Sequence, residues 1–378
     1  MDKHLHIISF TVPWPVDYGG VYDLFFKLPA LQAQGVKIHL HCFDYGRGEQ
    51  HELEKYCEEV FYYGRNTGHK GVSMQLPYIV ASRKNDALLE RLLQDAHPIF
   101  MEGVHCTYLT TDSRFRERKK FVRMHNVEYK YYYELMRCTS HPLKKIYFWN
   151  ESRLLKKYEQ QLTKNATAFW GVTEIDTECY RKEFHCGTAD YLPLFLPHWY
   201  VSGAEGKGNY CLYHGNLSVP ENDYAATWLL KNVFHEIEIP LVIAGKNPSK
   251  NLEALAHAKE HTCMVANPSE KEMQDMIAKA HIHVLPSFNN TGIKLKLLNA
   301  LFNGRHCVVN SNADEGTGLE KLCRHAGNAE EFQQVIQQLY HQPFTHEDIS
   351  ARKKILHRHF SNEASANQMV KWIWETYK

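Results

Sequence analysis

The sequence predicts an α/β protein made of two Rossmann-like, doubly wound units. Three observations carry this expectation. The chain has 378 residues, more than one ordinary domain holds. Short apolar runs alternate with longer amphipathic segments through the first two hundred residues, a pattern that makes mostly parallel sheets covered on both faces. After a glycine-rich break the same alternation starts again, which predicts a second unit of the same kind.

The strand candidates of the first half are 4–10 (HLHIISF), 36–43, 59–63, 98–102, 120–124 and 168–172. Between them, 21–34 and 86–94 have helical spacing. Segment 151–164 is dense in Lys, Glu and Gln with Leu at helical intervals, so it reads as a surface helix. Segment 202–209 (SGAEGKGN) has three glycines and no apolar side chain larger than alanine, which marks it as a linker. The strand candidates that follow are 209–215, 239–245, 262–266, 281–286 and 306–310. Segment 361–378 opens on Ser361 with Glu363 behind it and spaces Met369, Trp372, Ile373 and Tyr377 as one helical face. The expected organisation is therefore a domain over 1–200, a second over 201–360, and a terminal helix over 361–378.

Composition excludes several classes. Apolar residues make up 44% and charged residues 23%, which is globular rather than disordered or fibrous. Lys and Arg exceed Asp and Glu by one, so no global field draws nucleic acid or an anionic membrane. No uncharged apolar stretch reaches 18 residues, and the first fifteen have no small-residue cleavage pattern. Ten scattered cysteines without a C-x-x-C pair read as reduced and buried. The expected location is the cytoplasm.

In open parallel sheets, ligands bind beyond the carboxyl ends of the strands, near the reversal of strand order. Two facing units would hold a substrate in the cleft between them, so residues just after each strand are the candidates. After the first strand, Gly19 and Gly20 close a Pro-rich loop before a helix. Glycines there let main-chain amides approach an anion, though a tight turn explains them as well. His125 and Asn126 follow 120–124, where imidazole and amide can meet a ligand; the competing reading has Asn126 capping the next helix. Lys246, one residue past Gly245, is placed as a phosphate contact or as a solvated loop lysine. Gly292 precedes a helix in which Lys296, Asn299 and Asn303 share one stripe. Such a stripe on a largely apolar helix calls for a polar partner, a phosphate and ribose hydroxyls being suitable, unless it faces water.

Three H-x-H pairs, His4/His6, His39/His41 and His281/His283, each put two imidazoles on one sheet face. None has a Cys, Asp or Glu at recognisable ligand spacing, so no metal site is expected. Segments 114–120 and 129–157 mix basic and aromatic residues, among them Lys144, Lys145, Phe148 and Trp149. That mixture suits a peripheral membrane contact at the inner face, or simply a solvated face over core aromatics.

Taken in order, these pieces resemble the GT-B glycosyltransferases of the retaining family 4 type, over nearly the whole chain. The Pro-x-Pro loop ending in Gly19-Gly20 is similar to that family's glycine-rich loop near the donor diphosphate. His125-Asn126-x-Glu128 resembles its His-Asn segment by the transferred sugar. His214-Gly215-Asn216-Leu217-Ser218, with Asn222, resembles the opening of its second domain. The strand ending in Gly245-Lys246-Asn247-Pro248 resembles its strand with a phosphate-binding basic residue. Gly292-x3-Lys296-x2-Asn299-Ala300 with Gly304 and Val308-Val309 resembles its donor signature, Thr291 and Asn299 standing where that signature has glutamates. Asp23 stands where the family has an arginine.

The resemblance implies transfer of a sugar from a nucleoside diphosphate sugar to an acceptor hydroxyl, with retention, in polysaccharide or glycoconjugate biosynthesis. The acceptor would be a saccharide or a lipid-linked saccharide. It assigns catalytic roles to His125, Lys246 and Lys296, and donor contacts to Gly19, Gly20, Asn126, Gly215, Asn216, Thr291, Gly292 and Asn299. No cofactor, metal or nucleic acid is implied; lysines and amides would meet the charge that develops on the leaving diphosphate. Two alternatives stand beside it. One is a sugar-nucleotide epimerase of the same fold, for which Glu102, Glu128 and Asp176 are the available carboxylates. The other is a catalytically silent binding subunit of a transferase, which Thr291, Asn299 and Asp23 favour.

Overall fold

The computed structural model describes residues 2–16 and 19–377, so Asp17 and Tyr18 of the glycine-rich loop lie outside the described residues. The chain divides into two compact units. The first comprises Met1–Tyr132, Phe148–Pro197 and Phe360–Lys378, and the second Tyr133–Tyr147 and His198–His359.

The first unit is built on β1 (Lys3–Ser9), β2 (Val36–Asp44), β3 (Glu59–Gly64), β4 (Ile99–Glu102), β5 (Lys120–Met124), β6 (Ala168–Gly171) and β7 (Ala189–Tyr191). They form one sheet in the order β3-β2-β1-β4-β5-β6-β7, every pairing parallel. The second unit carries β8 (Cys211–Asn216), β9 (Leu241–Lys246), β10 (Thr262–Ala266), β11 (Ile282–Val284), β12 (His306–Val309) and β13 (Arg324–His325). Their order is β10-β9-β8-β11-β12-β13, again wholly parallel. In both sheets the order reverses beside the first strand, at β1/β4 and at β8/β11. β7 and β13, of three and two residues, are too short to leave a periodic signal and were absent from the sequence reading.

Each face of the first sheet has its own core. Ile8, Met101, Val122 and Phe169 pack with Leu155 and Tyr180 on one side. Leu5, Ile7, Phe100, Phe121 and Trp170 pack with Leu28, Met369 and Ile373 on the other. The last two residues come from helix Asn362–Lys371 and the turn Trp372–Thr376 that continues it. Asn362 locks that helix down, its Oδ1 accepting from Leu196 N at 3.0 Å while its Nδ2 donates to Leu196 O at 2.8 Å. No helix among the described residues is long and apolar enough to cross a membrane.

Three sequence expectations are corrected. The helix read over 151–164 runs Pro142–Leu162 and is not simply a surface helix. Its inner face buries Glu151, Leu155, Tyr158 and Glu159 because the two carboxylates accept main-chain amides of neighbouring segments. Segment 202–209 is not a free linker. Gly206 pairs with Phe344 in both directions at 2.9 Å, and a Cβ at Gly203 or Gly208 would lie 2.5 Å or less from a carbonyl oxygen. Gly203 and Gly208 therefore serve close backbone approach, and Gly206 takes φ +89°. Two of the three histidine pairs, His4/His6 and His39/His41, do meet an acid in space. His4 and His6 bond His39 and His41 across β1/β2, each at 2.9 Å, while Asp95 takes His6 and Glu59 takes His39. Those acids come from other elements, so ligand spacing along the chain could not reveal them.

Candidate functional site

At the strand ends of the first unit lies a buried ionic network. Arg123 on β5 is fully buried, and its Nε and Nη2 donate to the two oxygens of Asp23 at 2.9 and 3.0 Å. Nη1 donates to Leu192 O at 2.7 Å and Nη2 to Pro193 O at 3.0 Å. Asp23, in the first turn of helix Tyr22–Ala33, also accepts from Lys27 Nζ at 3.1 Å and Phe195 N at 2.9 Å. Burial opposes its ionisation, but Arg123 and Lys27 overcome this and hold the carboxyl well below the usual range. Lys27 reaches on to Glu102, the last residue of β4, whose other oxygen lies 3.1 Å from His125 Nε2.

Asp23, Glu102 and His125 are, among the described residues, the one group of metal-type ligands within mutual reach. Lys27 and Arg123 already hold both carboxylates, so the charge a cation would supply is present as protein. The same bonds explain why Asp23 can stand where an arginine was expected. It faces inward to Arg123 and offers nothing to a ligand.

His125 and Asn126 sit between β5 and helix Glu128–Cys138, with the His125 side chain 17% exposed. Asn126 is not the cap of that helix, contrary to the competing reading. Glu159 receives the Glu128 and Tyr129 amides, each at 3.0 Å, and the Tyr180 hydroxyl at 2.7 Å. Asn126 lies by the Glu128 carboxyl, where it opposes the rise of that group's pKa. Burial first, then the neighbouring Glu159, pushes that carboxyl up to about 8. Gly19 and Gly20 form a 3-10 turn, Gly19–Val21, at the entry to helix Tyr22–Ala33.

In the second unit the candidates gather at the ends of β8 and β9. Asn216 ends β8 and is in register with Lys246, the last residue of β9. The two strand ends close on one another through glycine: a Cβ at Gly245 would lie 1.9 Å from Gly215 O. Asn222 Nδ2 donates to Asn216 O at 2.9 Å, and its Oδ1 accepts from Lys296 Nζ at 2.9 Å. Lys296, in the first turn of helix Leu295–Asn303, also donates to the Tyr213 hydroxyl at 3.1 Å. These partners are neutral. Glu221, which acts on Lys296 electrostatically, is itself bonded by Ser287 Oγ at 2.7 Å. Burial lowers the Lys296 ammonium to about 8, against the opposing pull of Glu221.

The structure thus joins Gly215, Asn216 and Lys296, with Lys246 beside them in register. It does not join Thr291 or Asn299 to this group by hydrogen bonds. Buried Thr291 bonds Asn289 Oδ1 through its amide and hydroxyl, at 2.8 and 2.9 Å, bracing the turn in which Gly292 takes φ +65°. Asn299 accepts from Asn303 Nδ2 at 2.8 Å, and Asn303 Oδ1 accepts from Ser202 Oγ at 3.0 Å. Part of the polar stripe therefore finds its partners inside the protein, which removes the inference that the whole stripe needs a ligand. Sequence reasoning missed Tyr213 and Glu221, which look like an ordinary core aromatic and a surface acid until helix Leu295–Asn303 is placed against them.

With both sites described, the comparisons give the fold and a family match for part of the chain. The structure has the GT-B glycosyltransferase fold, and residues 208–342 match the family Glycosyl transferases group 1. The chain is similar to TarM over 99% of both chains, with a TM-score of 0.72 at 10% identity. It is similar to Anabaena HepE, solved with UDP and glucose, over 97% of this chain and 98% of that one, with a TM-score of 0.62 at 10% identity. In sequence it is 25% identical over 330 residues to an uncharacterized 44.6 kDa protein in the cps region of Klebsiella pneumoniae, covering 82% of this chain and 84% of that protein.

The Glu128 environment carries a pH dependence. Its pKa is raised from 4.5, so the fold favours the acid form, and that stabilisation is lost as pH rises through about 8. Glu128→Gln should leave stability nearly unchanged at pH 4 and raise it by on the order of 2 kcal/mol at pH 9. Denaturant melts at the two pH values measure this; equal effects at both would remove the buried-acid assignment.

Proposed function

We propose that the protein is a retaining glycosyltransferase that moves a sugar from a nucleoside diphosphate sugar to an acceptor hydroxyl. One observation carries this reading most strongly. Lys296 is a half-buried cation at the strand ends, held by neutral oxygens, with its electrostatic neighbour Glu221 engaged elsewhere. An ammonium placed so is ready for an anion, and a leaving diphosphate is the anion this family handles. In this proposal Lys246 and the amide of Gly292 share that charge, which preorganised donors stabilise as it develops. Asn216 and Asn299 are assigned to the nucleotide, and Gly19, Gly20 and Asn126 keep the donor-contact role that the resemblance implies. His125, oriented by Glu102, positions the transferred sugar. The lysines and amides do the work of a divalent ion, so no metal or other cofactor is invoked. The relative encoded in a cps region favours polysaccharide or glycoconjugate synthesis as the setting.

The epimerase alternative is weaker on one point. Glu102, Glu128 and Asp176 are each 3% exposed or less, so none of the three presents its carboxylate to a sugar.

We also place the protein at the inner face of the membrane, cytoplasmic and peripheral, with a lipid-linked saccharide as acceptor. The support is helix Pro142–Leu162, where Leu143, Ile146 and Trp149 are 72%, 63% and 47% exposed on the side away from its buried face. Lys144, Lys145, Arg153, Lys156 and Lys157 are exposed with them, while Glu151, the one acid between 141 and 157, is buried. Apolar and aromatic side chains ringed by cations suit an anionic bilayer surface.

Three outcomes are expected. Lys296→Ala should weaken nucleoside diphosphate binding roughly 10- to 100-fold by calorimetry. In the parent, affinity should fall as pH rises past about 8, where Lys296 loses its proton, whereas Lys296→Arg should keep it. Equal affinities for parent and alanine variant would remove the donor site. Proton NMR of the product should give the donor's anomeric configuration; an inverted linkage ends the retention proposal. Sedimentation with vesicles containing phosphatidylglycerol should carry the protein down, and the double change Ile146→Glu, Trp149→Glu should leave it in the supernatant. A protein that pellets equally well with both changes docks elsewhere.

A further inference from the structure

Close to His125, the first unit holds positive charge that it does not neutralise. Arg83 is 4% exposed. Its Nε donates to Phe10 O at 3.0 Å and its Nη1 to Ile79 O at 2.7 Å, both uncharged carbonyls. Arg65 is its neighbour: Nε donates to Ser82 Oγ at 3.2 Å, and the guanidinium lies 4.8 Å from the centre of the Tyr45 ring. The Arg83 guanidinium lies 6.0 Å from the same ring. Burial, then the charge of Arg65, depresses the Arg83 pKa. Among the described residues, neither guanidinium has a carboxylate within ion-pair distance. The acid that acts on Arg83 from farther away is Glu128, whose own proton stays on to about pH 8.

The remaining groups around Arg83 do not offset it. Phe10, the first residue after β1, packs its ring 5.0 Å from His105, 5.8 Å from His125 and 6.0 Å from the Arg83 guanidinium. His105 Nδ1 is buried without a hydrogen-bond partner, and burial first, then Arg83, holds this imidazole neutral. Four polar side chains, Arg65, Arg83, His105 and His125, thus collect where the order of the first sheet reverses, which is where open parallel sheets take ligands.

A buried guanidinium without a counter-ion is unfavourable, and a second cation beside it makes it more so. The ionic network around Arg123 answers the same cost with carboxylates; here none is supplied. We propose that Arg83 and Arg65 form an anion subsite that binds a phosphate or carboxylate group carried by the acceptor. The planar fork of arginine matches both groups in a bidentate manner. Resting on the transferase reading, the assignment narrows the acceptor to an acidic one, a phosphorylated or uronic-acid-bearing saccharide. A neutral sugar would leave the charge unmatched.

The test uses the full chain and two probes, inorganic phosphate and glucuronate, each compared with chloride at matched ionic strength. Thermal unfolding should show a saturable rise in Tm with at least one probe. Arg65→Gln should weaken the apparent affinity about tenfold, and Arg83→Lys, which keeps the charge but loses the fork, should weaken it too. The arginine-dependent part of the response should persist in Lys296→Ala. A response to phosphate alone assigns a phosphorylated acceptor, and one to glucuronate alone an acidic sugar. Absence of any response overturns the subsite. So does a response that both arginine changes leave undiminished, or an arginine-dependent response that disappears with Lys296→Ala. Should the transferase reading itself fail, nucleoside diphosphate binding would be missing while the arginine-dependent response remained.

Discussion

Arg123 is a guanidinium in the middle of an apolar sheet, and the strand ends of the first unit are arranged to satisfy it. Asp23 brings helix Tyr22–Ala33 to it, and the carbonyls of Leu192 and Pro193 bring the chain leaving β7. Lys27 extends the network to Glu102, and Glu102 extends it to His125. A charge taken out of water must be paired completely or the unit loses several kcal/mol. That requirement joins the candidate sugar-positioning imidazole to the helix, to β4 and to β5 at once.

Buried charge is used in two ways in this chain. Around Arg123 every buried cation meets a carboxylate, so the result is rigid scaffold. At Lys296 and at Arg83 the hydrogen-bond acceptors are hydroxyl, amide and carbonyl oxygens, which orient a cation without cancelling it. A cation left in that condition favours an incoming anion. The same physical reasoning therefore separates structural charge from binding charge within one chain: the distinction lies in the partner's charge, not in burial.

Several features were legible because they are local. The apolar runs that become β1 to β6 and β8 to β12 are found within a few residues of where periodicity puts them, since a buried parallel strand must be apolar along its length. The glycine at 245 is needed because another backbone passes there, and its place at a strand end advertised the turn. What misled was the assumption that a residue's meaning is set by its sequence neighbours. Glycines 203, 206 and 208 look like a flexible tether yet lie against other backbone segments. The stripe of Lys296, Asn299 and Asn303 looks like one ligand-facing row, yet Asn303 turns to Asn299 and Ser202. The histidines of β1 and β2 looked unpartnered because Asp95 and Glu59 arrive from distant parts of the chain.

By itself, the sequence determined the α/β class, the two repeated alternations of strand and helix, and the positions where strand ends meet polar loops. These follow from apolar periodicity and backbone chemistry, which act over a few residues. Only the tertiary structure decided which charges are paired and which are left over, because pairing is settled by side chains dozens or hundreds of residues apart. Arg65 and Arg83 read in sequence as two ordinary basic residues. Folding sets them beside one aromatic ring with no carboxylate within ion-pair distance among the described residues, and their significance comes from that placement.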